Sequence, residues 1–155
     1  MIQRIQTVYL LIVAVLFVTL LFLPLAIISS ENMAYSFEVT GLYTLTTPAE
    51  LVFPTWSFLA IDALIALISF VIIFVYKKRI LQMRLCVYNT FLMIGFCALF
   101  CFYLYQFNKS PDLSECKIFL RFWVAFPIVA LIFNYLAIRN IGADEALIRS
   151  LARLR

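Results

Sequence analysis

The stretch Lys77-Lys78-Arg79-Ile80-Leu81-Gln82-Met83-Arg84 decides the fold, because it places four cations within eight residues between two long apolar runs. Such a cluster cannot lie in hydrocarbon, so it belongs at a membrane face. Short loops rich in lysine and arginine stay on the cytoplasmic side of a membrane. This basic turn therefore predicts the direction in which every neighbouring segment crosses.

The composition around the basic turn is that of an integral membrane protein. Of the 155 residues, 66% are hydrophobic and 13% are charged, and the charged share is about half that of a soluble domain. The mean hydropathy is +1.07. A soluble fold of this length could not bury so much apolar surface. The sequence therefore predicts a single membrane domain over residues 1–155.

Apolar runs on both sides of the basic turn are long enough to cross a hydrocarbon core of roughly 30 Å. We expect four spans, at about residues 8–28, 55–76, 85–107 and 118–138. The first run is too long for a secretory signal and no small-residue cleavage pattern follows it, so we interpret it as an uncleaved span. Pro127 falls near the middle of the fourth run and predicts a kink there.

Two segments lie outside these spans. Residues 29–54 contain no lysine or arginine, and from residue 33 to residue 40 large apolar or aromatic residues alternate with alanine or polar residues. This alternation predicts a strand, and Gly41 followed by a second β-prone run predicts a small outer hairpin. Gly142 is expected to end the fourth span. Residues 143–155 are then predicted to form an amphipathic helix on the inner membrane surface.

The predicted fold class is an all-α membrane protein: a four-transmembrane-helix bundle with a small extracytoplasmic β-hairpin and a C-terminal amphipathic surface helix. Under this topology the inner segments carry most of the cations, and the outer segments are net negative. This charge segregation predicts a cell inner-membrane protein with both termini in the cytoplasm. The cations expected to contact lipid head groups or a partner are Lys77, Lys78, Arg79, Arg84, Arg149, Arg153 and Arg155.

Asp62 and Arg121 are the charged residues that fall deep within predicted spans. Their spans both enter from the outer side, so we expect the two side chains to lie at similar depth and to form an intramembrane ion pair. A structural clasp is the first interpretation of this pair, and a proton or substrate site is the second. Snorkelling of Arg121 toward the outer interface, without contact to Asp62, is the third.

Asn89 and Asn134 both fall near the inner level of the bundle, and we expect them to form an interhelical polar pair. The four cysteines are Cys86, Cys97, Cys101 and Cys116, and none makes a CxxC pair. We interpret them mainly as small packing residues. A disulfide between Cys101 and Cys116 is left open.

The residue inventory argues against catalysis. The chain contains no histidine and three glycines, which excludes histidine-ligated metal or haem sites, histidine-based triads and glycine-rich phosphate loops. We therefore predict no catalytic residues, no metal site and no cofactor. The pI near 9.0 does not indicate nucleic acid, because the cations cluster at membrane-facing ends.

The two ends of the chain carry a resemblance to a known family. Met1-Ile2-Gln3-Arg4-Ile5-Gln6-Thr7-Val8-Tyr9-Leu10-Leu11 and the residues from Asp144 to Arg155 resemble the ends of a domain-of-unknown-function family. Its members are small four-span bacterial inner-membrane proteins. The resemblance implies architecture and location, and it implies no activity and no catalytic residues.

These observations predict a non-catalytic integral membrane protein that is an accessory or scaffold subunit of a membrane assembly. Its expected partners are the lipid bilayer and other membrane proteins, and a homo-oligomer is left open. The alternative is a small proton-coupled or small-solute transporter that uses Asp62. A membrane enzyme acting on lipid or quinone is the weakest hypothesis, because no reactive constellation is visible.

Overall fold

A computed structural model describes residues 2–29, 33–46, 48–76, 78–109 and 117–153. The side chains of residues 2–4, 108, 145 and 147–153 lie outside this description. The helices of the described ranges are α1 (Ile2–Leu20), α2 (Trp56–Phe74), α3 (Arg79–Lys109), a short 3-10 helix (Phe122–Ala125) and α4 (Phe126–Arg153). The strands are β1 (Ala26–Ser29), β2 (Ala34–Phe37), β3 (Gly41–Thr44), β4 (Leu51–Pro54) and β5 (Lys117–Leu120).

The four α-helices pack in a ring, because α1 contacts α2 and α4, and α3 contacts the same two helices. Each helix buries one stripe whose members alternate three and four residues apart. On α2 this stripe is Phe58, Asp62, Ile65, Ser69 and Ile72. Such spacing is typical of helices that cross at a shallow angle and interlock along their length. The ring places α2 diagonally opposite α4.

The predicted second and third spans correspond to α2 and α3, whereas the first and fourth spans were predicted wrongly at their outer ends. Helix α1 ends at Leu20, and the apolar residues Ala26–Ser29 form strand β1. Residues Lys117–Leu120, at the predicted start of the fourth span, form strand β5. A short apolar strand that is buried on a sheet has the same hydropathy as a helix segment, so the sequence pattern alone could not separate them.

Helix α4 corrects two further predictions. Pro127 is the second residue of this helix and not its middle, so its missing N–H falls in a first turn where no intrahelical partner exists. Gly142 does not end the helix, which continues to Arg153 as 28 residues. The predicted separate surface helix at 143–155 is therefore the inner part of α4 as far as the structure describes it. Glycine lowers helix propensity by about 1 kcal/mol but does not forbid an interior position.

The segment between α1 and α2 forms more than the predicted hairpin. Strands β2 and β3 confirm the hairpin, with Phe37 opposite Leu42 and the turn closed by Glu38 N–H donating to Gly41 O at 2.9 Å. The described strands form one antiparallel sheet in the order β4-β3-β2-β1-β5. Strand β5 pairs with β1 although it lies about ninety residues later in the chain. A lone hairpin is marginal, and the additional strands supply the extra pairing that it needs.

This sheet packs against the helices through a cluster of aromatic side chains. The ring of Phe37 is fully buried, with centroids 5.9 Å from Phe58, 5.9 Å from Phe100 and 5.3 Å from Phe107. Phe58 stacks in turn on Phe96 at 4.3 Å. Aromatic pairs in these geometries add about 0.5–1.5 kcal/mol beyond area burial. The sheet and the adjoining ends of α2 and α3 therefore share one core.

The outside of the bundle is apolar. Three described helices are long and apolar enough to cross a membrane, and only 22% to 28% of their most apolar windows is buried within the protein. The apolar part of α1, Ile5–Leu20, is shorter. The large side chains on the exterior include Phe70, Phe74, Phe91 and Ile132, each more than half exposed. These surfaces suggest membrane association, since water would not favour them.

Candidate functional site

Polar side chains occupy the interior of the bundle, on the same stripes that hold its apolar core. The buried ones within the helices are Gln6, Asp62, Ser69, Gln82, Asn89, Asn134 and Asp144. All of α1 to α4 contribute at least one of them. The exterior of the bundle is apolar as well, which distinguishes it from a soluble bundle. Buried polar groups in such a bundle need partners, so their contacts identify candidate sites.

Asp62 is fully buried on α2, and neither of its carboxylate oxygens has a hydrogen-bond partner among the described residues. Arg121 is exposed and precedes the short 3-10 helix, whose residue Val124 donates its N–H to Arg121 O at 3.1 Å. The predicted Asp62–Arg121 ion pair is therefore wrong. Two causes explain the error: α4 begins five residues after Arg121, and α2 lies diagonally opposite α4.

Asn89 and Asn134 are both fully buried, but the predicted bond between them is also wrong. Asn89 donates from Nδ2 to Ser69 Oγ at 2.9 Å and so joins α3 to α2. Asn134 donates from Nδ2 to Thr90 Oγ1 at 2.8 Å and to Cys86 O at 3.0 Å, which joins α4 to α3. Each asparagine thus links a different pair of neighbouring helices by hydrogen bonds.

The sequence analysis missed a polar contact at the inner end of the bundle. Gln6 on α1 donates from Nε2 to Asp144 Oδ2 on α4 at 2.7 Å, and both side chains are buried. The sequence analysis places Asp144 in a separate surface helix at 143–155 and so gives it no partner within the bundle. The signal was present in the spacing, because Asn134, Ala137, Ile141 and Asp144 continue one stripe through Gly142.

The basic turn is shorter than its sequence suggested. Helix α2 ends at Phe74 and α3 begins at Arg79, so Arg79 and Arg84 belong to the helix and Lys78 to the connection. Lys78 and Arg84 are exposed, and Arg79 is half-buried. The remaining cations of the predicted lipid or partner surface, which are Lys77, Arg149, Arg153 and Arg155, lie outside the described side chains.

The described side chains line three cavities of functional interest. The inner cavity, of about 460 Å³, is lined by Gln6, Thr7, Ile73, Phe74, Tyr76, Arg79 and Gln82. The α1–α2 groove, of about 350 Å³, is lined by Leu11, Ala14, Val15, Val18, Thr19, Phe70 and Ile73. The α3–α4 groove, of about 210 Å³, is lined by Leu25, Phe96, Cys97, Phe100, Cys101, Val124, Pro127 and Ile128. Asp62 lines none of these three.

Metal and thiol chemistry find little support in the described part of the chain. Within it, no group of three or more Cys, Asp or Glu side chains is placed to hold a metal ion. Cys86, Cys97 and Cys101 are free thiols. Cys116, and with it the open question of a bond to Cys101, lies outside the described residues.

These features define the class as a mainly helical protein in which three described helices are apolar and long enough for a membrane, joined to an antiparallel sheet. Residues 2–154 match the family described as domain of unknown function (DUF4293), and the chain belongs to that family. No curated protein matches the sequence at a significant level. The family supplies no activity, so function has to be argued from the side chains.

Proposed function

We propose that the protein spans a membrane with α1 to α4 and is a non-catalytic accessory subunit of a membrane assembly. The exposed apolar surface of the helices supports the membrane placement. Helices α1 and α2 each have 19 residues and are about 28 Å long at 1.5 Å per residue, close to a hydrocarbon core of roughly 30 Å. Helix α3, with 31 residues, would extend beyond that core.

The two ends of the bundle support a direction for this placement. Phe22, Trp56 and Phe122 lie just beyond or at the sheet-side ends of the helices, and they are 79%, 75% and 76% exposed. Such rings favour a membrane–water interface. Lys78 and Arg79 mark the opposite end, where cations favour the cytoplasmic side of an inner membrane. The start of α1 and the end of α4 would then also face the cytoplasm.

The β3–β4 hairpin is the observation that carries the accessory role. Leu45, Leu51 and Val52 are each at least half exposed, and Phe53 is 43% exposed. Strand β4 is an edge of the described sheet, so one side of its backbone is unpaired. These side chains lie on the outer side of the proposed aromatic boundary, where lipid would not cover them. A partner membrane protein with an extended outer segment fits this edge by strand addition.

The accessory role can be tested by introducing lysines on strand β4 and measuring which membrane proteins co-purify. We expect Leu51→Lys with Val52→Lys to reduce recovery of co-purifying membrane proteins at least about tenfold, because each buried lysine would oppose the contact. The thermal unfolding midpoint should change little, since both side chains are exposed. Phe119→Lys on β5 is the matched control, because it is 57% exposed and lies at the opposite edge of the sheet.

The proposal fails if the wild-type protein, extracted in mild detergent, recovers no partner in defined amount. It also fails if the β4 lysine variant and the Phe119 control recover partners equally. Deletion of residues 143–155 is not a suitable test, because Asp144 in that segment is buried against Gln6. Loss of partners would then follow from damage to the bundle.

A second candidate function, proton-coupled transport of a small solute, is favoured by one observation. The buried Asp62 carboxyl group has no hydrogen-bond partner among the described residues, and unpaired acids within membrane bundles commonly belong to transport pathways. A carboxyl group there can take up and release a proton during each transport cycle.

Flux measurements test the transport candidate. In proteoliposomes with an imposed pH gradient, the wild type should acidify or alkalinise the lumen faster than protein-free vesicles, and Asp62→Asn should abolish the difference. Asn134→Ala, which removes a different buried polar group, is the control. Equal rates in wild-type and protein-free vesicles would exclude this candidate.

A further inference from the structure

The inner cavity and the α1–α2 groove meet at a common wall. Ile73 lines both of them. The rings of Phe70, which lines the groove, and Phe74, which lines the inner cavity, are in edge contact at 5.1 Å. A ligand could therefore place one end in the inner cavity and the other along the groove.

The lining of the inner cavity combines apolar side chains with one described cation and two buried amides. Arg79, at the start of α3, is half-buried in its wall, and Lys78 lies beside it in sequence. Gln6 and Gln82 are only 5% and 4% exposed, so two buried amides form part of the wall. The Nε2 of Gln82 donates to Ile72 O at 3.5 Å, and the Nε2 of Gln6 donates at 2.7 Å to Oδ2 of Asp144, an acid that contacts this lining within the described part of the chain. A guanidinium at a helix N-terminus favours a phosphate oxygen.

The α1–α2 groove is apolar along its whole length. Its α1 wall repeats at helical spacing from Leu11 to Thr19, and Val15 and Val18 are 51% and 45% exposed. Thr19 does not add polarity, because its hydroxyl donates to Leu16 O at 2.8 Å. From Thr7 in the inner cavity to Thr19 the helix rises about 18 Å. That distance is close to the depth of one leaflet of the hydrocarbon core, about 15 Å.

We propose that the inner cavity and the α1–α2 groove together bind one anionic phospholipid of the cytoplasmic leaflet. Its phosphate contacts Arg79, its polar head group occupies the wall formed by Gln6 and Gln82, and one acyl chain lies along Val15 and Val18. The geometry matches this ligand class because a cavity lined by a cation and two amides at the membrane face continues into an apolar groove directed into the hydrocarbon. The inference rests on the membrane placement proposed above and does not depend on a protein partner.

Native mass spectrometry of the purified full-length chain tests the site. The probes are phosphatidylglycerol and phosphatidylcholine with identical acyl chains, each titrated into the detergent-solubilised protein. We expect the wild type to bind one phosphatidylglycerol in preference to phosphatidylcholine. Arg79→Gln should weaken phosphatidylglycerol binding at least about tenfold, the effect of losing one charge-assisted contact. Val15→Trp should weaken binding of both lipids by filling the groove.

Matched controls separate this site from general lipid adhesion. Arg84→Gln removes an exposed cation of the same helix that does not line the inner cavity, and Ile132→Trp adds a ring at a 56% exposed position of α4. Both should bind phosphatidylglycerol like the wild type. Val18→Trp replaces Val15→Trp if circular dichroism shows that the latter does not fold.

Three outcomes would overturn the proposal. They are equal binding of the two lipids by the wild type, retention of phosphatidylglycerol by Arg79→Gln, and displacement of the lipid by millimolar inorganic phosphate with no effect of either groove variant. The last outcome would indicate a soluble anion site. Arg79→Gln should still recover protein partners through the β3–β4 hairpin, so failure of the lipid site and failure of the accessory role are distinguishable.

Discussion

At the scale of single residues, the buried polar side chains of the described helices divide into those that join helices and Asp62, which does not. Asn89, Asn134 and Gln6 each donate to a neighbouring helix, and such bonds contribute about 0.6 kcal/mol on average within membrane bundles. Asp62 has no partner of this kind among the described residues. Burial of a carboxyl group without a hydrogen-bond partner costs stability, so Asp62 does not contribute to the bundle in the way that the asparagines do.

Asp62 and Arg121 are consequently expected to be energetically independent. We predict that Asp62→Asn changes the free energy of unfolding in detergent by less than about 1 kcal/mol, because no contact of the carboxylate is lost. In a double-mutant cycle with Arg121→Gln the two effects should add to within about 0.5 kcal/mol. Loss of 3–5 kcal/mol with strong coupling, the magnitude typical of a broken buried ion pair, would contradict the structure.

The sequence was sufficient to select three of the buried polar residues of the described helices, but not to pair them. The depth of Asp62, Asn89 and Asn134 follows from their position within apolar runs. Their partners depend on helix rotation and on the order of the helices around the ring, and neither is encoded in hydropathy. The actual acceptors are Ser69 Oγ, Thr90 Oγ1 and the backbone carbonyl of Cys86. Serine and threonine are common in apolar helices, so the sequence does not single them out.

At the scale of elements, the packing of the sheet on the helices depends on the ring of Phe37. Phe37→Ala would leave a cavity among Phe58, Phe100 and Phe107, so we predict a loss of about 3–5 kcal/mol in the free energy of unfolding. Phe119→Ala, at an exposed site of β5, should cost less than about 1 kcal/mol. Comparable losses in both variants, measured by thermal unfolding, would mean that the sheet is not packed on the helices through Phe37.

Because α4 continues through Gly142, a substitution at this position is expected to raise the stability of the protein. An added Cβ at Gly142 would lie 4.0 Å from Met83 Sδ, which is ordinary contact. Alanine favours a helix interior over glycine by up to about 1 kcal/mol, so Gly142→Ala should raise the thermal unfolding midpoint. Gly95→Ala in α3, where the added Cβ meets nothing within 4 Å, should behave alike. A lower midpoint for Gly142→Ala alone would indicate that the helix ends there.

Helices with long apolar runs could be predicted from the sequence, and short apolar strands could not. Helices α2 and α3 were predicted because their runs are bounded by Trp56 and by the basic turn. Strands β1 and β5 were absorbed into neighbouring spans, since each has four residues and is apolar. Their pairing across the chain, Ile27 opposite Phe119, is a long-range contact that no local pattern carries.

At the scale of the whole molecule, a few polar side chains lie within a mainly apolar interior, and apolar side chains also cover the exterior of the helices. Phe22, Trp56 and Phe122 lie at the sheet end of the helices, together with the cations Lys109, Lys117 and Arg121, and Lys78, Arg79 and Arg84 lie at the opposite end. The apolar exterior accounts for the high hydrophobic content of the chain. In water, this large apolar surface would have to be covered, as is expected for a membrane protein.

Labelling of single cysteines in intact cells tests this arrangement most directly. In a variant lacking the four native cysteines, Thr46→Cys at the sheet end and Lys78→Cys at the basic end are both exposed positions. We predict that a membrane-impermeant maleimide labels Thr46→Cys in intact cells and labels Lys78→Cys only after permeabilisation. Equal labelling of both positions in intact cells, or recovery of the protein in the soluble fraction, would contradict the account.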